Sequence, residues 1–176
     1  SISLFGPYRH IRKACIFGSA RTKPDHPNFK LAEITAKKIT DANMMVITGA
    51  GPGIMEAGNK GANPDQSFGL HIQLPFEEAA NDYIINSGKL ISYKYFFTRK
   101  LTFVKESDAF VLFPGGYGTQ DEGFEVLTLI QTGTCSPRPF IILNYDKSHY
   151  WKLWKNYVQT QLLDRSYISP LDIEII

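Results

Sequence analysis

Short apolar runs alternate with amphipathic stretches along this sequence. The apolar runs have the length of strands and end at turn residues. They predict strands at residues 13–17, 44–48, 68–74, 90–97, 109–113 and 139–144. The stretches between them mostly repeat apolar residues every three or four positions, which is typical of a helix with one buried face. These predicted helices cover residues 27–43, 54–61, 98–106, 119–131 and 148–163.

Strands that alternate with helices from end to end favour parallel pairing, because each helix carries the chain back to the start of the next strand. We therefore predict a single-domain, Rossmann-like α/β fold, with a doubly wound, mainly parallel sheet and helices on both faces. Residues 13–176 form the expected α/β domain. Residues 1–12 are predicted to be an irregular, solvated N-terminal arm. Glu77 and Glu78 fall in a predicted polar loop, where they are either solvated or contact a ligand.

Net charge, the length of the apolar runs and the placement of cysteine and histidine limit the classes of function that this sequence can have. A net charge of +2 is too small to favour nucleic acid as the main partner. The apolar runs are too short to span a bilayer, and the first residues hold no signal-peptide core, so we expect a cytoplasmic protein. Cys15 and Cys135 are far apart and are predicted to be reduced thiols. The histidines are scattered, so we predict no metal site and no cofactor.

Glycine-rich turns follow three of the predicted strands, and the carboxyl ends of parallel strands meet at one edge of a sheet. The first turn contains Gly18 and Ser19, and the second contains Gly49, Gly51 and Gly53. We expect these residues to contribute to a ligand site at that edge. The sequence leaves open whether Gly51 and Gly53 serve close approach of a ligand or tight packing of helix on sheet.

The third turn is the most specific signal. A buried run ends at Pro114, glycines follow at Gly115, Gly116 and Gly118, and Thr119 then begins a helical pattern. Such a turn directs backbone N–H groups and the positive end of a helix dipole at an anion, which predicts a phosphate site. The turn lacks the Lys-Ser/Thr ending of a Walker motif.

Charged side chains near this turn indicate the chemistry. Glu122 lies early in the predicted helix, and Arg99 and Lys100 precede the strand that leads into the turn. A carboxylate can stabilise an oxocarbenium-like ribose and activate water, while a cation can hold the substrate. This set is suited to cleaving the N-glycosidic bond of a nucleoside monophosphate.

The stretch from Pro114 to Glu122 also matches the pattern PGGxGTxxE. It resembles the LOG (Lonely Guy) family of cytokinin-activating phosphoribohydrolases, which are often labelled lysine decarboxylases. The resemblance implies that Arg99 and Glu122 are catalytic and that the protein is a homodimer with its site near the interface. It also implies which residues bind the 5′-phosphate. They are Gly115, Gly116, Gly118 and Thr119.

Two departures from the family pattern concern the site. Phe96 and Phe97 stand where relatives commonly carry Met-His, next to the expected base, and Gln120 stands where an apolar residue is usual. We expect the Gln120 change to matter less. The lysine decarboxylase label lacks physical support, because the sequence singles out no lysine that could hold pyridoxal phosphate.

The leading hypothesis is hydrolysis of adenosine 5′-monophosphate, with or without a modified N6 group, to free base and ribose 5-phosphate. One alternative is a non-hydrolytic carrier of a nucleotide or a molybdenum-cofactor-like ligand. Another is a nucleotide sensor within a longer chain. A product assay separates the first hypothesis from the other two.

Overall fold

The computed structural model of this chain describes residues 2–73 and 79–176. The predicted loop acids Glu77 and Glu78 lie outside these residues. Within the described ranges, six strands form one sheet. They are β1 (Lys13–Phe17), β2 (Met45–Thr48), β3 (Ser67–Ile72), β4 (Leu90–Tyr93), β5 (Ala109–Leu112) and β6 (Phe140–Ile142). All neighbouring strands run parallel, in the spatial order β4-β3-β2-β1-β5-β6, which confirms the predicted α/β fold.

Helices pack on both faces of this sheet. In chain order they are α1 (Ile2–Phe5), α2 (Pro27–Asp41), α3 (Ile54–Ala62), α4 (Phe96–Glu106), α5 (Tyr117–Gln131), α6 (Tyr150–Tyr157) with a π-helical continuation (Val158–Leu163), and α7 (Pro170–Ile173). Short 3-10 turns occupy Gly6–Tyr8 and Pro64–Gln66. Within the described ranges, none of the helices is long and apolar enough to cross a membrane.

The side chains of β1 show how the two layers are built. Ile16 points to one face and packs in a cluster with Phe29 of α2 and Ile54 of α3. Phe17 points to the opposite face and packs edge-on against Phe103 of α4, with ring centroids 5.1 Å apart. Because both faces of the sheet are covered, its central strands are continuously apolar rather than alternating.

The strand order reverses direction between β1 and β5. The chain moves outward from β1 through β2 and β3 to β4, then returns to place β5 on the other side of β1. Phe17 and Leu112 pair at the carboxyl ends of these two central strands. The connections that leave β1 and β5 diverge to opposite faces, and this point of an open α/β sheet is where ligands bind.

The predicted strand at residues 90–97 is wrong over its second half. The strand β4 ends at Tyr93, and Phe96 and Phe97 already belong to α4. Aromatic residues favour strands only where they pack on a half-buried pleated surface. Here the helical spacing instead places the ring of Phe96 one turn from Arg99, whose guanidinium carbon lies 5.5 Å from the ring centroid.

The predicted N-terminal arm is exposed at Gly6, Pro7, Arg9, His10 and Arg12 but is not solvated throughout. Phe5 is buried, and its ring lies 4.4 Å from that of Phe68 on β3, with Tyr8 packed edge-on against the same ring at 5.4 Å. The ammonium group of Lys13 donates to the carbonyl oxygens of Tyr8 and Ile11 at 2.7 and 2.8 Å. Burial of the aromatic rings outweighs the polar composition of the segment.

Candidate active site

A pocket of about 690 Å³ opens at the point where the strand order reverses. The ends of β1 and β2, the helix α4, and the β5–α5 turn with the first residues of α5 form its walls. Most of the predicted site residues line it. They are Gly18, Ser19, Gly49, Arg99, Gly115, Gly116, Gly118, Thr119 and Glu122. Gly51, Gly53 and Lys100 lie outside this lining.

The β5–α5 turn presents an uncapped helix terminus to the pocket. Gly116 is the N-cap of α5, and no side chain of the described residues caps it. The first N–H groups of a helix have no partner within the helix, and the dipole adds positive potential there. A methyl group on Gly116 or Gly118 would meet no atom within 4 Å, so the pocket side of this turn is open. The terminus can therefore receive an anionic group.

Gly115 has a different reason to be glycine. A Cβ at this position would lie 2.0 Å from the hydroxyl oxygen of Thr119 and 3.0 Å from the backbone nitrogen of Ser19. The backbone N–H of Ser19 also donates to the carbonyl oxygen of Pro114 at 3.1 Å. The turns after β1 and β5 are thus packed directly against each other at the floor of the pocket.

Glu122 brings a buried carboxyl group to the wall of this pocket. Only 8% of its surface is exposed. Burial raises the pKa of Glu122 to about 7, and the positive charges of Lys100 and Arg99 limit that rise. A carboxyl group that titrates near neutral pH can exchange a proton with a reacting group or with water.

Arg99 supplies a cation to the same pocket from α4. Its guanidinium carbon lies 5.5 Å from the ring centroid of Phe96 and 5.7 Å from that of Phe103, one ring on each side along the helix. Such cation–π contacts hold a guanidinium in place at little cost in hydration. The charge of Arg99 also lowers the pKa of Glu122, so the two groups interact electrostatically.

Lys100 follows Arg99 but has a different environment. Its ammonium group lies 2.5 Å from a carboxylate oxygen of Asp121 and 2.8 Å from one of Glu125, both on α5. These ion pairs join α4 to α5 on either side of Glu122 in sequence. Lys100 lies outside the pocket lining, and its charge favours the ionised form of Glu122.

The second glycine-rich turn serves packing more than the pocket. Gly53 has a φ of +68°, and a Cβ there would lie 2.3 Å from the carbonyl oxygen of Ser19. The N–H of Ile54 donates to that same oxygen at 3.0 Å, so the start of α3 rests on the β1 turn. A Cβ on Gly49 or Gly51 would meet the side chain of Met55 at 2.7 Å.

Sequence reasoning missed a hydrogen-bond network that joins Gln120 to two side chains of α6 beside the site. Trp154 donates from its indole N–H to the amide oxygen of Gln120 at 2.9 Å, and the amide nitrogen of Gln120 donates to the hydroxyl of Tyr150 at 2.5 Å. The Tyr150 hydroxyl then donates to the carbonyl oxygen of Gly115 at 2.6 Å. Partners separated by about thirty positions leave no local pattern in a sequence.

Comparison with known families shows which family the chain belongs to. Residues 47–176 match the protein family described as "Possible lysine decarboxylase". The chain belongs to this family, the LOG family. The match includes the second glycine-rich turn, α4 and the whole β5–α5 turn.

Curated relatives in plants are similar over part of their length. The cytokinin riboside 5′-monophosphate phosphoribohydrolase LOG3 of Arabidopsis thaliana is 38% identical over 78 residues, which is 44% of this chain and 34% of the relative. The phosphoribohydrolase LOG2 of the same plant is 28% identical over 138 residues, 77% of this chain and 64% of the relative. The matched segments thus span between one third and two thirds of these relatives.

A solved structure shares the fold. It is that of the molybdenum cofactor binding protein from the phototrophic bacterium Rippkaea orientalis. The TM-score is 0.58 at 23% identity, over 86% of this chain and 85% of that one. At this level of identity the similarity concerns the fold alone.

The family description raises the question of pyridoxal phosphate, which decarboxylases hold through a lysine Schiff base. None of the described residues that line the pocket is a lysine. Lys100, which lies nearest in sequence to a lining residue of α4, is ion-paired with α5 instead. The pocket does not fit that cofactor.

Proposed function

We propose that this protein hydrolyses the N-glycosidic bond of a nucleoside 5′-monophosphate and releases the free base and ribose 5-phosphate. The observation that carries the proposal is the buried carboxyl group of Glu122 in one pocket with Arg99 and the open N-terminus of α5. Relatives named as cytokinin riboside 5′-monophosphate phosphoribohydrolases support the reaction class. Adenosine 5′-monophosphate, with or without an N6 substituent, is the proposed substrate.

The phosphate is the group that orients the substrate. Its oxygens accept from the N–H groups at the start of α5, and the hydroxyl of Thr119 adds a donor at the same turn. This places the ribose further along α5, toward Glu122. Binding energy from the phosphate, which does not react, then holds the glycosidic bond in position.

Glu122 acts in its ionised form on the ribose side. As the bond to the base breaks, positive charge develops on the ribose, and the buried carboxylate stabilises it in a region of low dielectric. The same carboxylate accepts a proton from the attacking water, whose oxygen bonds to the ribose carbon. The base departs with the electron pair of the broken C–N bond and takes up a proton to become the free base. A carboxyl group with a pKa of about 7 is suited to this exchange near neutral pH.

Arg99 holds the substrate on the opposite wall, and Phe96 forms part of the same wall. The guanidinium can donate to the departing base or to the phosphate, and the exposed face of an aromatic ring can stack on a purine. Met55 and Phe17 extend the apolar surface inward. This surface is compatible with adenine that carries an apolar N6 group.

A homodimer in the cytoplasm completes the proposal. Tyr95, Phe97 and Leu101 are each 62% exposed, and they lie on or next to α4, the helix that carries Arg99. Pairing of this surface between two copies would bury it beside the pocket mouth. Sedimentation velocity should show a dimer, and Leu101→Glu should shift it toward monomer. A monomeric unaltered protein would contradict this part of the proposal.

The decisive experiment is a product assay. The protein is incubated with AMP, N6-isopentenyl-AMP and a panel of other monophosphates, and free base and ribose 5-phosphate are separated by chromatography. Adenosine, which lacks the phosphate, is the matched control and should be a much poorer substrate. If every nucleotide is bound but remains intact after long incubation, the proposed hydrolysis is wrong and a role as carrier or sensor is favoured.

A further inference from the structure

Tyr150, Gln120 and Trp154 form a directed series of hydrogen bonds that ends at the β5–α5 turn, here called the relay. An indole N–H can only donate, so the amide oxygen of Gln120 must face Trp154 and its amide nitrogen must face Tyr150. The amide N–H fills an acceptor position on the Tyr150 oxygen, so the hydroxyl proton is free to point at the carbonyl of Gly115. Each member thus fixes the direction of the next.

The last bond of the relay sets the orientation of one peptide group. The peptide between Gly115 and Gly116 is trans, and in a trans peptide the carbonyl and the following N–H point in opposite directions. The carbonyl faces Tyr150, which lies outside the pocket lining, whereas both glycines line the pocket. The N–H of Gly116 therefore points away from Tyr150, at a turn whose two glycines line the pocket.

A hydrogen bond from outside the turn is useful here because glycine has no side chain that could hold its own peptide group in one orientation. Gly116 has no side chain, and a Cβ there would touch nothing within 4 Å. Glycine tolerates a wide range of backbone angles, so the packing of the turn restricts this peptide less than it would restrict one between residues with side chains. A hydrogen bond from Tyr150, held in place by Gln120 and Trp154, removes that freedom before a ligand arrives.

We propose that Tyr150, with Gln120 and Trp154 behind it, is a positioning residue that presets the Gly116 N–H for an anionic phosphate group. The inference rests on the proposed phosphate-binding role of this turn but requires no hydrolysis. It also assigns a role to Gln120, whose side chain contacts two residues of α6 across the turn. The relay acts on affinity for the phosphate and leaves recognition of the base unchanged.

The test compares Tyr150→Phe with Tyr157→Phe in the full chain. Tyr150→Phe keeps the ring and removes the donor to Gly115. Tyr157 lies on the same helix and is exposed, which makes it a matched control. Binding of inorganic phosphate, AMP and adenosine is measured by calorimetry, and thermal unfolding is recorded for each variant. Adenosine reports the base and ribose contacts without the phosphate.

Tyr150→Phe should weaken binding of phosphate and AMP by about tenfold, the size of one lost hydrogen bond, and leave adenosine binding unchanged. Gln120→Met should weaken phosphate binding by about threefold, because Tyr150 keeps its donor but loses its fixed direction. If AMP is hydrolysed, KM for AMP should rise while kcat changes little. Tyr157→Phe should behave like the unaltered protein.

Equal losses for AMP and adenosine in Tyr150→Phe would indicate a general structural effect and overturn the proposal. So would unchanged phosphate binding in that variant, or an unaltered protein that binds neither phosphate nor AMP. Binding of AMP without hydrolysis, together with the expected tenfold loss in Tyr150→Phe, would contradict the proposed function and support the positioning role. The proposed hydrolysis and the positioning role of Tyr150 can therefore be contradicted independently.

Discussion

The turns at residues 49–53 and 115–118 each join a buried parallel strand to a helix at the same edge of the sheet, yet their glycines serve different purposes. In the first of these turns the glycine hydrogens point into protein. A Cβ on Gly53 would lie 2.3 Å from the carbonyl oxygen of Ser19, and one on Gly51 would lie 2.7 Å from Met55. In the second, Gly116 and Gly118 face open space and line the pocket.

The helices that follow these turns differ in the same way. Each carries a glutamate near its start, Glu56 on α3 and Glu122 on α5. Glu122 is buried against α4 and lines the pocket, whereas Glu56 lies outside the lining. Glycine content alone therefore indicates a tight turn, and the atoms that surround the glycine decide whether that tightness serves packing or a ligand.

Exchange of each glutamate for glutamine should give the largest difference in activity between changes on α3 and on α5. Glu122→Gln should lower turnover of AMP by about a thousandfold, because an amide neither stabilises the ribose cation nor accepts a proton from water. AMP binding should remain. Glu56→Gln, the matched control, should leave turnover within about twofold. Turnover retained in Glu122→Gln would remove the carboxylate from its proposed role.

Gly53→Ala should have the largest effect on stability. The left-handed φ and the contact with the Ser19 carbonyl are both incompatible with a side chain, so we expect a loss of about 3 kcal/mol in the free energy of unfolding. Urea denaturation measures it. A variant as stable as the unaltered protein would show that α3 can shift off the β1 turn, and the packing role assigned to this turn would be wrong.

The free energy of unfolding should depend on pH through Glu122, the glutamate that lies in the pocket. Its folded pKa of about 7 lies above the usual 4.5, so the folded state binds the proton more tightly than the unfolded state does. The favourable contribution of Glu122 protonation to the free energy of unfolding is complete below pH 4.5 and is lost as the pH rises to 7. The carboxylate thus costs on the order of 3 kcal/mol above that pH.

Glu122→Gln should therefore be more stable than the unaltered protein at pH 8 and about equally stable at pH 4. Denaturation curves for both proteins across this range isolate the Glu122 contribution, since other groups cancel in the difference. The kcat/KM for AMP should rise with pH and level off above about 7. A stability difference that does not change with pH would contradict the raised pKa.

Gly118→Ala should give the smallest change in stability, and with the opposite sign to Gly53→Ala. Gly118 lies within α5 and faces open space, so alanine should stabilise the helix by about 0.5 kcal/mol. The new methyl group enters the pocket and should weaken phosphate binding by about tenfold. Calorimetry with inorganic phosphate measures this, and unchanged affinity would place the anion elsewhere.

Much of the fold was predictable from local pattern. The strand β1 and the burial of Phe29, Ala32 and Ala36 along α2 agree with the hydrophobic spacing. The parallel, doubly wound sheet followed from the alternation of elements. These features depend on residues within a turn or two of one another, and hydrophobic periodicity records that range directly.

The site was predictable only in part. The strand–turn–helix sequence before Glu122 located the pocket, and Arg99 does reach it. Lys100 pairs with Asp121 and Glu125, because a helix turns adjacent side chains by about 100° to different neighbours. Its contact with a ligand stays a prediction. Phe96 was expected in a strand because aromatic residues favour strands. In the structure it belongs to α4, where its ring packs on Arg99.

The sequence by itself determined that a glycine-rich turn with a nearby acid lies at the carboxyl edge of a parallel sheet. The tertiary structure alone decided which glycines face solvent, that Glu122 is buried enough to titrate near pH 7, and that Tyr150 reaches Gly115. Desolvation and long-range hydrogen bonds depend on which distant segments the crossovers bring together. A local pattern of residues carries no record of those neighbours.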